Sequence, residues 1–269
     1  MNQERNDQKD SAIPRVDYDR IAPTYDRRYE ESPMHNLAAT LQSLARDLSA
    51  ERLLEVGCGT ARYLDVWPQG TIQRCGLDLS WGMLSQTRGR GARLALVQGR
   101  ASQMPFPIAT FDLVFCVNAI HHFDEPGAFI GQAYQILRPG GALMVVGSNP
   151  HDGHGAWYVY EYFQSTLQTD LRRFPSWGDI MDRMVVSGFD AVEWHWVQRI
   201  LDSKTGQDVL DDPFLVKSAS SQLALLSDQG YAAGMRRIQA AISGAAAAGE
   251  TIVFPVDIHI GAIVGRRRS

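Results

Sequence analysis

Long apolar runs are missing from this 269-residue chain. No stretch approaches the roughly 20 consecutive apolar residues that a membrane-spanning helix needs. The lead Met1–Asp10 is polar and charged, without the apolar centre of an export signal. Cysteine is scarce as well. Cys58, Cys75 and Cys116 are odd in number and lack metal-type spacing, which excludes a disulfide scaffold and a thiolate zinc site. Reduced thiols and a cytoplasmic location are expected. Nor is there an excess of positive charge: 26 Lys and Arg face 30 Asp and Glu, for a net charge of -4. With a pI near 6.0, nothing in the charge balance calls for a nucleic-acid partner. Arg266–Arg268 read as a solvated basic end. Neither nucleic acid, membrane nor metal is expected as a partner, and oligomeric state is not legible.

What the chain has is 45% hydrophobic content, enough for one sizeable core. The expected organisation is a disordered lead-in over residues 1–14, then one domain over 15–269 with a helical cap insertion around 203–250. The stretch Leu53-Leu-Glu-Val-Gly-Cys-Gly-Thr-Ala-Arg-Tyr63 predicts a buried strand turned sharply into a helix by Gly57, Cys58 and Gly59. Two departures from the dinucleotide fingerprint matter: Arg62 stands where its third glycine would be, and Glu55 sets a carboxylate beside the loop. A carboxylate there repels a diphosphate and attracts a cation. Glu55-x-Gly57-x-Gly59 resembles the first motif of the class I S-adenosylmethionine-dependent methyltransferases, small-molecule type. Their cofactor carries a sulfonium and an ammonium and no phosphate, so loop amides and a helix N-terminus can face its amino-acid end.

Further motifs extend the resemblance from about Tyr18 to Ser148. A second strand, Ile72 to Leu77, ends in Asp78 about twenty residues beyond the loop, where a doubly wound fold offers a carboxylate to ribose hydroxyls; Ser80 can cap the helix carrying Met83. After a third strand, Met104-Pro-Phe106 matches the family's turn, but Arg100 replaces the acid usually near the adenine. Arg100 then either stacks on the ring or points to solvent. The apolar fourth strand, Phe111 to Val117, ends in Asn118-Ala-Ile-His121-His122. Leu137-Arg-Pro-Gly-Gly-Ala-Leu143 matches the late motif before the fifth strand. The resemblance implies a Rossmann-like doubly wound α/β sheet of about seven strands, mostly parallel with an antiparallel edge strand. It also implies cofactor contacts from Tyr18, Tyr25, Glu55, Gly57, Cys58, Gly59, Asp78, Leu79, Met83, Arg100, Ala101, Ser102 and Asn118. The two tyrosines either close over the cofactor or pack the opening segment. His121 and His122 are the candidates for acid–base catalysis, the alternative being that they brace their loop.

The fourth strand is not followed by the Asn/Asp-Pro-Pro-aromatic run of enzymes that methylate amino groups of nucleic acids, and no cysteine follows a proline. A small-molecule acceptor is therefore expected. Beyond Asn149, His151 and His154 lie in a glycine-rich loop, and a helix carrying Trp157 and Tyr160 follows. These four are the candidate substrate contacts, although plain core packing is the favoured reading for most of the aromatics. Ser176 and Asp179 form a capping box, then strands Phe189–Ile200 and Ile252–Val264 flank the cap. The implied reaction is in-line methyl transfer that leaves S-adenosylhomocysteine. A catalytically silent cofactor-binding module and a nicotinamide-dependent oxidoreductase are the alternatives.

Overall fold

Short apolar runs between glycine-rich turns become the parallel part of an eight-stranded sheet. The computed structural model describes residues 15–29, 35–67, 72–87, 94–153 and 155–269; the expected lead-in 1–14 and His154 lie outside them. Strands β1 (Arg52–Val56), β2 (Gln73–Asp78), β3 (Leu94–Gln98), β4 (Phe111–Val117) and β5 (Leu137–Gly147) run parallel. The remaining strands are β6 (Ala156–Trp157), β7 (Phe189–Thr205) and β8 (Val253–Arg267). The order is β3-β2-β1-β4-β5-β8-β6, with β7 pairing β8. Sequence order reverses between β1 and β4, so a crevice opens at the carboxyl ends of these strands. β8 runs antiparallel to β5, from Ala142↔Arg266 to Gly147↔Gly261, and to β7 along nearly its whole length.

Nine α-helices are described: α1 (Tyr18–Ile21), α2 (His35–Asp47), α3 (Trp81–Ser85), α4 (Pro126–Ile136), α5 (Tyr158–Tyr162), α6 (Thr166–Arg173), α7 (Trp177–Val186), α8 (Ser221–Ala224) and α9 (Asp228–Ala247). The apolar stripe of α4, Phe129, Ile130, Ala133 and Ile136, joins one sheet face with Leu54, Val114 and Val145. Leu37, Leu41 and Ala45 of α2 cover the other, against Leu53 and Phe115. A third cluster packs Tyr158, Val159 and Phe163 against Ile238 and Ile242 of α9 and Phe254 of β8. There α9 approaches so closely that a Cβ on Gly234 would lie 2.1 Å from the Phe163 ring.

Local expectations fared unevenly. Ser80 caps α3 by accepting from the Met83 amide, and Ser176 with Asp179 forms a reciprocal capping box on α7. The helix expected after the glycine loop is a three-residue 3-10 turn, Arg62–Leu64, because Ala61 turns left-handed before it and Pro68 follows closely. Trp157 closes a short strand paired to β8 rather than opening a helix. Glu125 takes the cap position of α4 without a side-chain bond, and its neighbour Asp124 forms ion pairs with Arg15 and Arg100.

Candidate functional site: a cleft joined to a second cavity

At the end of β1 the chain turns at Gly57 with φ +72°, and a Cβ there would stand 2.5 Å from that of Ala119. Only glycine fits so tight a turn. The amides of Gly57 and Cys58 both donate to the Leu77 carbonyl, at 2.7 and 3.1 Å, and the Gly59 amide donates to Asp78 Oδ2 at 2.7 Å. This corrects the expectation of ligand-facing loop amides: all three are occupied in tying β1 to β2. Asp78 also accepts from the Ser80 amide through Oδ1 at 2.8 Å, so one carboxylate stitches two loops while lining the cleft. Burial raises its pKa, opposed by those backbone bonds.

Glu55 is 1% exposed, lies behind the loop, and its Oε2 has no hydrogen-bond partner. Burial, and then the charge of Asp78, raise its pKa well above the usual carboxylate range. Glu55 thus lies buried beneath the loop, where its charged form is disfavoured, which weakens the expectation of a carboxylate that attracts a cation. An orphaned buried oxygen is what a cationic ligand end nearby would satisfy. Cys58 and Gly59 likewise lie behind the cleft; the Cys58 sulfur packs against Gly76 and burial pushes its thiol pKa up.

The opening segment is strapped across these loops by side chains. Asp19 Oδ1 accepts from Ser80 Oγ at 2.7 Å and from the Gly82 amide at 2.6 Å, which lowers the pKa of Asp19. Thr60 Oγ1 donates to Asp26 at 2.7 Å. Beneath the strap lies a cleft of about 580 Å³ lined by Tyr18, Tyr25, Gly57, Asp78, Leu79, Met83, Arg100, Ala101, Ser102 and Asn118. At its rim Arg100 donates to Asp124 Oδ2 at 3.0 Å, and Arg15 pairs with the same carboxylate. Arg100 therefore neither stands free in solvent nor replaces an acid without compensation.

A second cavity of about 490 Å³ opens against the first, and Tyr18, Tyr25, Asn118, His121 and His122 line both. Tyr18 Oη and His122 Nε2 are 2.6 Å apart. The rings of His121 and His122 lie 4.0 Å apart, and Phe174 stacks on His121 at 3.7 Å and 11°. Burial, then His122 and Arg173, hold the His121 pKa well below the ordinary histidine value, so this imidazole is neutral. The second cavity is walled by Trp157, Phe174, Ile200, Phe214, Val256, Ile258 and Ile260. Most of these come from the β7–β8 ribbon and the cap.

Two predicted substrate contacts fall elsewhere. His151 Nε2 is bonded to the Phe174 carbonyl at 2.9 Å, and Tyr160 gives its hydroxyl to Asp170 at 2.7 Å; neither lines a cavity. Both stabilise the wall rather than face it. Sequence reasoning missed Asp124, Phe174 and Arg173. Arg173 lines the cleft with its side chain 2% exposed, its Nε on Asp170 at 2.8 Å. The acid-to-base i,i+3 spacing on α6 was the available signal, but it does not say that both ends are buried.

A mostly parallel sheet reversing order at β1 and β4, with a glycine turn and an acid at the crevice, defines a nucleotide-type α/β protein. Residues 54–145 match the family model described as a methyltransferase domain. Malonyl-[acyl-carrier protein] O-methyltransferase of Serratia marcescens is 28% identical over 127 residues, 47% of this chain and 49% of that protein. Phthiotriol/phenolphthiotriol dimycocerosates methyltransferase of Mycobacterium leprae is 34% identical over 45% of this chain and 46% of its own length. The chain thus spans about half the length of these curated relatives. In three dimensions it resembles a phosphoethanolamine N-methyltransferase of Haemonchus contortus, solved with S-adenosyl-L-methionine: TM-score 0.60, 17% identity, 93% of this chain and 57% of that one. Residues 54–145 are thus similar to a methyltransferase domain, and the fold is shared with a solved methyltransferase. Among the described residues no helix is long and apolar enough to cross a membrane.

Proposed function

We propose that this protein transfers a methyl group from S-adenosylmethionine to a small-molecule acceptor by in-line displacement, in a cytoplasmic setting. The observation that carries the reading is the junction: two cavities of ligand size share Tyr18, Tyr25, Asn118, His121 and His122. A donor in one and an acceptor in the other meet there. The donor supplies an electrophilic methyl on a sulfonium, whose charge disappears on transfer. Asp78, already aimed by two backbone amides, keeps lone pairs for ribose hydroxyls. Leu79, Met83, Ala101 and Ser102 form the far wall, and the strap residues Tyr18 and Tyr25 cover the reacting end. Glu55 offers its orphaned oxygen toward the ammonium side. His121 and His122 can take a proton from an acceptor that carries one. Alignment and water exclusion supply most of the rate, up to about 7 to 11 kcal/mol in well-oriented systems.

The relatives support a small acceptor, since one is named for malonyl-[acyl-carrier protein] and another for a dimycocerosate lipid. The test is calorimetric titration with S-adenosylhomocysteine and, separately, NADH, followed by tritium transfer from labelled donor to an acceptor panel. Binding of S-adenosylhomocysteine but not NADH is expected, with tritium in product. NADH binding alone would instead favour the oxidoreductase. Tight binding without transfer to any acceptor would leave a silent binding module.

A further inference from the structure

Methyl transfer as such leaves Arg173 unexplained. A guanidinium 2% exposed is costly to bury unless each donor has a use. Nε is spent on Asp170 Oδ1 at 2.8 Å and Nη2 on Ser221 Oγ at 2.5 Å. Asp170 is itself saturated, taking Tyr160 Oη at 2.7 Å and Gln222 Nε2 at 2.6 Å on its other oxygen. Nη1 has no hydrogen bond among the described residues, while the residue lines the donor cleft. Four side chains from three helices therefore hold one guanidinium with an edge unused. Arg173 lines the donor cleft and acts electrostatically on His121 at the junction, its guanidinium carbon stands 5.1 Å from the Phe174 ring, and its neighbours Phe174, Ser221 and Gln222 line the acceptor cavity. The cations that line the acceptor cavity itself are engaged, Arg199 by Asp257 at 2.7 Å and Lys204 by Asp202 at 3.1 Å.

We propose that Arg173 receives the acceptor, and that the acceptor is an acid: an apolar body ending in an oxyanion, a carboxylate or an ionised phenol or enol. The apolar body fits the wall of Trp157, Ile200, Val256, Ile258 and Ile260, while the oxyanion meets the unused guanidinium edge beside His121. The step balances without a base. An oxygen lone pair forms the new O–C bond as the methyl–sulfur bond breaks and its electron pair returns to sulfur, so anion and sulfonium neutralise each other. With no proton to remove, His121 and His122 serve to fix the oxygen's direction. A cationic amine, by contrast, would meet the guanidinium and be repelled.

This inference rests on the donor-cleft reading, so the experiment separates the two. The full chain is first titrated with S-adenosylhomocysteine; absence of binding fails the donor reading itself. The saturated complex is then titrated with 1-naphthoate, dodecanoate and 4-nitrophenolate, and with 1-naphthylmethylamine and dodecylamine. At least one acid should bind about tenfold tighter than the amines, the carboxylates and the phenolate distinguishing the two oxyanion sources. Arg173→Gln should weaken that acid about tenfold while sparing S-adenosylhomocysteine, and Arg173→Lys should restore part of it. If Arg173→Gln fails to fold, the double change Asp170→Asn with Arg173→Gln removes both charges together, and the wild-type acid–amine comparison needs no variant. Equal or tighter amine binding, no acid binding, or a loss confined to S-adenosylhomocysteine would overturn the proposal.

Discussion

The two cavities are built by different means. Around the donor cleft, up to Ser148, position is set by backbone: a left-handed glycine, amides bonded to Leu77 and Asp78, and strand ends fixed by parallel pairing. Around the acceptor cavity, from Asn149 onward, β7–β8 pairing sets one wall and side chains from segments distant in sequence set the rest. Tyr160, Asp170, Arg173, Ser221 and Gln222 form one largely buried polar network whose ends, Tyr160 and Gln222, are 62 residues apart in the chain. A backbone device needs a particular residue type at a particular spacing; a side-chain network can be assembled in many ways. The first kind of cavity can be read from residue type and spacing, and the second cannot.

The sharpest way to break that contrast is to remove one member of the network. Asp170→Ala leaves Arg173 buried without its counter-charge, which should cost about 3–5 kcal/mol of stability. At about 2–4 °C per kcal/mol for a chain of this size, the thermal midpoint should fall by roughly 10 °C. An unchanged melt would mean that the network does not hold the cap. On the donor side, Gly57→Ala forces a Cβ against Ala119 at positive φ, and about 1–3 kcal/mol of strain should appear as weaker S-adenosylhomocysteine binding by calorimetry. Asp78→Ala removes the carboxylate shared by two loops and should weaken the same titration by about 1–3 kcal/mol.

The smallest effect is a pH dependence at the junction. The folded pKa of His121 lies well below 6.5, first through burial and then through His122 and Arg173. Below pH 6.5 the unfolded chain therefore binds a proton that the folded chain refuses, and stability falls toward the folded value. Glu55 acts in the opposite sense, its raised pKa removing stability as pH climbs above 4.5. Denaturation of His121→Phe against wild type isolates the first: the variant should lose less stability between pH 6.5 and about 5. Parallel curves would mean that His121 ionises freely.

The same contrast explains what the sequence made legible. Glu55-x-Gly57-x-Gly59, Asp78 and Leu137-Arg-Pro-Gly-Gly mark turns whose backbone demands those residues, and the order of five parallel strands followed from them. Even there the reading missed local facts: the loop amides are bonded internally and Glu55 is buried, because strand pairing reaches further than motif spacing shows. Beyond Asn149, aromatic and histidine residues were read as pocket residues by type. His151 and Tyr160 turned out to be tied to Phe174 and Asp170, partners no local pattern names. Arg173 resembled any solvated base at a helix end until α8 covered it.

A crystal structure with S-adenosylhomocysteine bound tests the central claim most directly. The account predicts the ribose against Asp78, the sulfur directed to the junction of Tyr18, His121 and His122, and the second cavity open in front of it. A nucleoside found outside the ends of β1, β2 and β4, or a sulfur facing away from that junction, would contradict it.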